Sequence, residues 1–289
     1  MDFFREFLAF IQYEKRYSPH TVLAYQKDLE QFTTYYEAQT SDKNIHQASH
    51  TLIRGWVVSL MSEKITPRSI NRKISTLKSF YKFLLRKRII TQNPMAKIIS
   101  PKTSSRLPVF VEQKSMETLL ERVEFEEGFE GIRNKLIIEL LYATGMRKSE
   151  LLNIKATDID SYSGQVKVLG KGKKERIIPL HRNLMKTIEH YQTEKPLSDY
   201  LLCDKNGEQL TPHKVYEVVK KYLSMVTTID KRSPHVLRHS FATAMLNNGA
   251  EINAVKELLG HANLSATQVY THNTIEKLKE TYKQAHPRG

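Results

Sequence analysis

"SPHVLRHSFATAML", residues 233–246, reads as the opening of a helix. Ser233 suits the N-cap and Pro234 the first helical position. Phe241, Ala242, Met245 and Leu246 then follow at helical spacing. The first turns, however, carry His235, Arg238 and His239. A helix N-terminus attracts anions and disfavours cations, so this arrangement is unfavourable unless an anion sits there, and phosphate fits such a position. His235 and Arg238 are three residues apart and share a face over one turn. A guanidinium and an imidazole aimed at one point match the oxygens of a phosphate. A zinc site on His235 and His239 would lack the glutamate of the metalloprotease pattern and would set Arg238 against the metal. For this stretch taken alone, a partly buried histidine beside a surface arginine remains the plain structural reading.

The rest of the chain favours the phosphate. Lys and Arg number 45 against 31 Asp and Glu among 289 residues, a formal net charge of +14, which points to a polyanionic partner: nucleic acid or an acidic membrane surface. With 40% hydrophobic and 26% charged residues, the composition is that of a globular protein with a sizeable core. Apolar runs such as "LIIELLYA" at 136–143 fall far short of the roughly 20 residues of a membrane span. The N-terminus carries Asp2, Arg5 and Glu6 and no signal-peptide run. The expectation is a cytoplasmic chain with no membrane partner. Cys203 is the one cysteine, which excludes an internal disulfide and reads as a packing residue.

Working outward, the first hundred residues read as helices. An amphipathic segment carries Phe3, Phe7, Leu8 and Ile11. A second, capped by Ser18 and Pro19, carries Val22, Tyr25, Leu29, Phe32 and Tyr36. "TLIRGWVVSLMSE" gives a third, and "TPRSINRKISTLKSFYKFLLRKR" a fourth, capped by Thr66 and Pro67. The fourth has an apolar stripe of Ile70, Ile74, Leu77, Tyr81 and Leu84, and no acid between Lys64 and Arg88. Such a run repels itself without a counter-anion, so Arg68, Arg72, Lys73 and Lys78 are assigned to DNA contact, the other reading being a solvated face. Pro94, Pro101 and Pro108 then break the pattern. The expected division is a helical domain over 1–100, a linker over 101–108 and a second domain over 109–289. In the second domain "IRNKLIIELLYATGMRKSELLNI" gives a buried helix, a break at Thr144 and Gly145, and a new helix starting near Met146 with Arg147 at its head. "QVKVLGKGKKERIIPL" alternates, turns at Gly170 to Lys173 and returns, a small antiparallel sheet with Lys171 at its tip. The turn lacks the spacer and Ser/Thr of a P-loop. The remainder reads as helical. "LGHANLSATQVYTH" places His261 after Gly260 and Tyr270 in a polar stretch. The fold class is therefore mainly α, with a mixed α+β second domain.

"ATGMRKSEL", "LGKGKKERIIPL", "HVLRHSFATAMLNNG" and "LGHANLSATQVYTH", in that order, resemble the conserved boxes of the tyrosine site-specific recombinases, and the basic helical N-terminal part is similar to that family's SAM-like core-binding domain. The likeness covers essentially the whole chain and is greatest to the Xer recombinases that resolve chromosome dimers. It implies catalytic roles for Arg147, Lys171, His235, Arg238, His261 and Tyr270: the tyrosine attacks a DNA phosphodiester and forms a 3′-phosphotyrosine, the arginines and His261 hold the phosphate oxygens, His235 accepts the phenolic proton, and Lys171 protonates the leaving 5′-oxygen. Glu150 would orient Arg147. The scheme calls for no metal, cofactor or ATP. DNA contacts would add Lys173 and Lys174 in the basic turn and Lys214, Lys220 and Lys221 in a helix over 212–222. Implied partners are a double-stranded recombination site, a homo- or hetero-tetramer of protomers on two sites, and a divisome DNA translocase. Ile275, Leu278 and Tyr282 form an apolar stripe on a terminal helix, which the likeness assigns to a neighbouring protomer and a plain reading to its own domain. A phage or mobile-element integrase keeps the same chemistry. A catalytically silent DNA-binding protein is the alternative of another class.

Overall fold

Hydroxyl–proline pairs cap three of the helix starts. Ser18 Oγ accepts from the Thr21 N–H ahead of Pro19, Thr66 Oγ1 from Ser69 ahead of Pro67, and Thr211 Oγ1 from Lys214 ahead of Pro212. A computed structural model of the chain describes residues 3–103, 109–170, 174–260 and 272–288. It divides into two units, Met1–Arg106 and Leu107–Gly289.

The first unit holds α1 (Phe3–Ala9), which continues into a π-helical turn at Phe10–Glu14, then α2 (Pro19–Thr40), α3 (His50–Ser62) and α4 (Pro67–Arg86). The α4 stripe expected from spacing, Ile70, Ile74, Leu77, Tyr81 and Leu84, is buried in full. It packs with Phe7, Leu29, Phe32 and Trp56 into one aromatic-rich core.

The acid-free face of α4 does find a counter-anion, from inside the fold. Asp28 of α2, 0% exposed, accepts from Lys73 Nζ (3.1 Å) and Thr76 Oγ1 (2.9 Å) and pairs with the Arg72 guanidinium. Lys73 is only 6% exposed and also bonds Gln31. It is therefore corrected from a DNA contact to an internal ion-pair partner: its charge is spent on a carboxylate that no part of the α4 sequence reveals. Arg72 shares that carboxylate yet keeps a solvent-exposed side chain, and Arg68 and Lys78 are exposed.

The second unit is built around α6 (Phe129–Thr144), buried continuously from Leu136 through its end. Around it lie α5 (Gln113–Glu121), α7 (Lys148–Leu152), α8 (Arg182–Glu194), α9 (Pro212–Val226), α10 (Pro234–Asn247), α11 (Ile252–Leu259) and α12 (His272–Ala285). The antiparallel sheet has the order β1 (Ile159–Asp160), β2 (Gln165–Leu169), β3 (Glu175–Pro179), with Val166 opposite Ile178 and Val168 opposite Arg176. The short β1 escapes the sequence reading because two residues carry no period. Cys203 is buried as a packing residue. In this single chain two members of the terminal stripe pack at home, the side chain of Ile275 lying outside what is described: Leu278 and Tyr282 are buried in the second unit's own core, Asn248 Nδ2 donates to Ala285 O (2.8 Å) and Lys279 Nζ to Ser163 O (3.1 Å). No described helix is long and apolar enough to cross a membrane.

Removing one member of a buried ion pair leaves an uncompensated charge, at a cost of about 3–5 kcal/mol. Asp28→Ala should destabilise the first unit by that amount, read in urea titrations by the fluorescence of Trp56, the one tryptophan of the chain. Asp28→Leu combined with Lys73→Met should recover most of the loss.

Candidate active site

The C-terminal carbonyls of a helix have no intrahelical partner. At the end of α11 a different arginine takes each of the last ones. Arg176 Nε donates to Leu258 O (2.8 Å), Arg238 Nη2 to Leu259 O (2.7 Å) and Arg147 Nη2 to Gly260 O (3.4 Å). Cations suit this negative helix end. Arg238 also donates through Nη1 to Gly145 O (2.6 Å), the C-cap of α6, and so ties two helix ends together. Arg238 is buried on α10, whereas Arg147, the N-cap of α7, is partly exposed.

One carboxylate organises the arginines. Glu150 of α7 is buried, and each of its oxygens accepts two hydrogen bonds. Oε1 takes Arg147 Nη1 (2.7 Å) and Arg176 Nη1 (3.1 Å); Oε2 takes the Arg147 backbone N–H (2.8 Å) and Arg176 Nη2 (2.7 Å). Burial alone would raise its pKa, but the bonds from Arg176 and Arg147 outweigh burial and hold it below the ordinary carboxylate range. The orienting role expected for Glu150 is thus matched by direct bonds. Arg176 is the residue that sequence reasoning missed. Its signal was there: in "ERIIP" it shares the inward face of β3 with Ile178, where an apolar residue belongs.

Glycines supply the close approaches. Gly145 has φ +58°, and a Cβ there would stand 2.4 Å from Phe241 Cδ1. Gly260 has φ +66° and carries the Arg176 guanidinium against its face, with Nη1 3.1 Å from where a Cβ would be.

His235 is exposed at the start of α10, where Ser233 is the N-cap by position but its hydroxyl makes no capping bond. Partial burial first, and then Arg238, His239, Lys148 and Arg147, press the imidazole pKa below its usual value. Burial and then Arg147 bring Arg238 down to about 10. Among the described residues, Glu150 is the carboxylate that Arg147 and Arg176 bind and whose charge also acts on Arg238, and the surplus positive charge suits an anion brought in from outside.

Of the expected catalytic residues, Arg147, His235 and Arg238 are brought together. Lys171, His261 and Tyr270 lie outside the described residues, as does Lys173. Lys171 follows Gly170, whose N–H donates to Lys174 O (2.7 Å) to close the hairpin, and His261 follows Gly260. Lys174 and Lys220 are exposed and Lys214 half-buried. Lys221 is held by Glu126 and is less available to DNA than the sequence implied.

Glu150 has a depressed folded pKa, so its contribution is present above the unfolded value of about 4.3 and is lost as pH falls through the folded value. Melting of the second unit, followed by far-ultraviolet circular dichroism, should show this acid-side loss. Glu150→Gln should lower stability by about 3 kcal/mol at neutral pH and remove that step.

Residues 110–277 match the phage integrase family and residues 4–88 the N-terminal SAM-like domain of phage integrases. Tyrosine recombinase XerC of Staphylococcus saprophyticus is 40% identical over 288 residues, covering 98% of this chain and 96% of that protein. XerC of Staphylococcus aureus strain COL is 39% identical with the same coverage. Among solved structures, the XerH site-specific recombinase in its post-cleavage complex with palindromic difH substrate superposes with a TM-score of 0.72 at 23% identity, covering 90% of this chain and 78% of that one. A lambda integrase dimer on a COC′ core site gives 0.68 at 17% identity, covering 92% and 99%. The structural likenesses support the fold, and the sequence relatives reach further: this chain belongs to the phage integrase family and is a site-specific tyrosine recombinase similar to the XerC enzymes.

Proposed function

We propose that this recombinase cuts and rejoins DNA through Tyr270 and acts on the chromosome, resolving dimers at a terminus site during segregation. The observation that carries the chemistry is the arginine cluster: Arg147 and Arg238 are bound to the carbonyls of adjacent residues, Gly260 and Leu259, and Glu150 holds Arg147. A scissile phosphate supplies the missing negative charge. Tyr270 attacks phosphorus, the new O–P bond makes a 3′-phosphotyrosine, and the bond to the 5′-oxygen breaks. His235, whose lowered pKa keeps it neutral at physiological pH, takes the phenolic proton. Lys171 gives a proton to the departing 5′-oxygen. Arg147, Arg238 and His261 donate to the non-bridging oxygens, where each preplaced donor is worth roughly 3–4 kcal/mol of barrier. The phosphotyrosine keeps the energy of the broken bond, so the reverse attack by a 5′-hydroxyl rejoins the strand without ATP.

Arg68, Arg72, Lys78, Lys173, Lys174, Lys214 and Lys220 would neutralise backbone phosphates along the site. Strand exchange between two sites calls for four protomers, as a homo- or hetero-tetramer, with a divisome translocase bringing the sites together in the cytoplasm. Similarity near 40% to XerC proteins over almost the whole chain supports the chromosomal role over that of a mobile-element integrase.

Tyr270→Phe should bind its site with unchanged affinity in gel shifts yet leave no protein–DNA adduct on denaturing gels; an adduct from this variant would reassign the nucleophile. The rate of adduct formation at subsaturating DNA reports the free enzyme. Because the His235 pKa is lowered, its acid limb should fall below pH 6.5, about the ordinary imidazole value. His235→Gln should be slow and lack that limb; an unaltered limb would move the proton acceptor elsewhere.

A further inference from the structure

We infer that Arg176, outside the expected catalytic set, is a positioning residue for strand cleavage: it fixes Arg147 through Glu150 and packs against the glycines that precede Lys171 and His261. An arginine on the inward face of a strand must repay its desolvation with bonds. Val168, its partner across the ladder, and Ile178, two residues on, show what that face otherwise holds. Arg176 meets the requirement with bonds to two separate elements. Nη1 and Nη2 grip both oxygens of Glu150 at 3.1 and 2.7 Å, and Nε reaches Leu258 O at 2.8 Å, all from a side chain only 4% exposed.

The glycine geometry adds an independent argument. A Cβ on Gly260 would lie 3.1–3.3 Å from Nη1, Cδ and Cζ of Arg176, and a Cβ on Gly170 would lie 3.5 Å from Nη1 and 3.6 Å from Glu150 Oε1. The pair is wedged between the end of β2 and the end of α11. Glu150 binds Arg147 at the backbone and the guanidinium alike. Arg176 thereby sets the Arg147 fork through one carboxylate and backs the chain at the residues from which Lys171 and His261 follow. Lysine cannot replace it, because one ammonium does not span two carboxylate oxygens and a carbonyl on another element.

The inference rests on the reading of Arg147 as a ligand of the scissile phosphate, and the test separates the two. Arg176→Gln, Arg176→Lys and Arg147→Ala are compared with the wild-type chain for melting temperature, for affinity in gel shifts, and for single-turnover cleavage of nicked suicide DNA. One DNA carries an ordinary scissile phosphate; the other carries a methylphosphonate, in which a methyl group replaces one charged oxygen. On the phosphate, Arg176→Gln should cleave roughly 10²-fold more slowly, the scale expected when a reacting group shifts by about 1 Å, with affinity unchanged. The methylphosphonate needs less charge neutralisation, so the deficits of Arg147→Ala and Arg176→Gln relative to wild type should both shrink at least tenfold. A protein merely loosened by the substitution would be equally slow on both DNAs. If Arg147→Ala recovers and Arg176→Gln does not, positioning by Arg176 is overturned. Failure of Arg147→Ala to recover overturns the phosphate-ligand reading itself. Should Arg176→Gln not fold, Arg176→Lys carries the same comparison, and wild-type cleavage by a folded Arg176→Lys also overturns the inference.

Discussion

Glu150 is the constraint on which the catalytic unit's centre depends. A carboxylate taken out of water must have its lone pairs filled, and here two guanidiniums and one backbone N–H do so. Because the arginines' remaining donors fall on the carbonyls at the end of α11, one side chain decides where three elements meet: α7, β3 and the α11 terminus. Arg238 closes the set by joining α11 to the end of α6. The result is rigid and still electrostatically incomplete, the state in which preorganised donors stabilise charge without rearranging.

The first unit contains a counterpart with the opposite outcome. Asp28 likewise gathers two cations and a hydroxyl, but Lys73 is consumed in the interior and only Arg72 keeps a solvent-exposed side chain. There the polar knot fixes the pairing of α2 and α4 and leaves no buried surplus for a ligand. The two sites show that a basic stretch says little about binding until its acids have been located in space.

That difference also marks what the sequence could and could not tell. The caps at Ser18 and Thr66, the α4 stripe, the break at Gly145 and the β2–β3 hairpin were all readable, because each is a local pattern of period or turn chemistry. So was the gathering of Arg147, His235 and Arg238, since the order and chemistry of the boxes carry it. Arg176 and Lys73 were not. The partners of Arg176 stand 26 and 82 residues away, and that of Lys73 stands 45 away, and no period connects them. Arg176 stood out only as a charge in an apolar register, and Lys73 not even as that. Nor did the sequence reveal that the Ser233 hydroxyl, at a cap position, makes no capping bond.

The docking of α12 has a mechanical side. Its buried Leu278 and Tyr282 and its bonds to Asn248 and Ser163 moor the helix to the unit that holds the arginines. Tyr270 stands two residues before the first residue of that helix. At no more than about 3.6 Å of reach per residue, the phenol-bearing backbone can stray only about 7 Å from the helix start. The grip of the terminal helix is thus a short leash on the residue proposed to strike phosphorus.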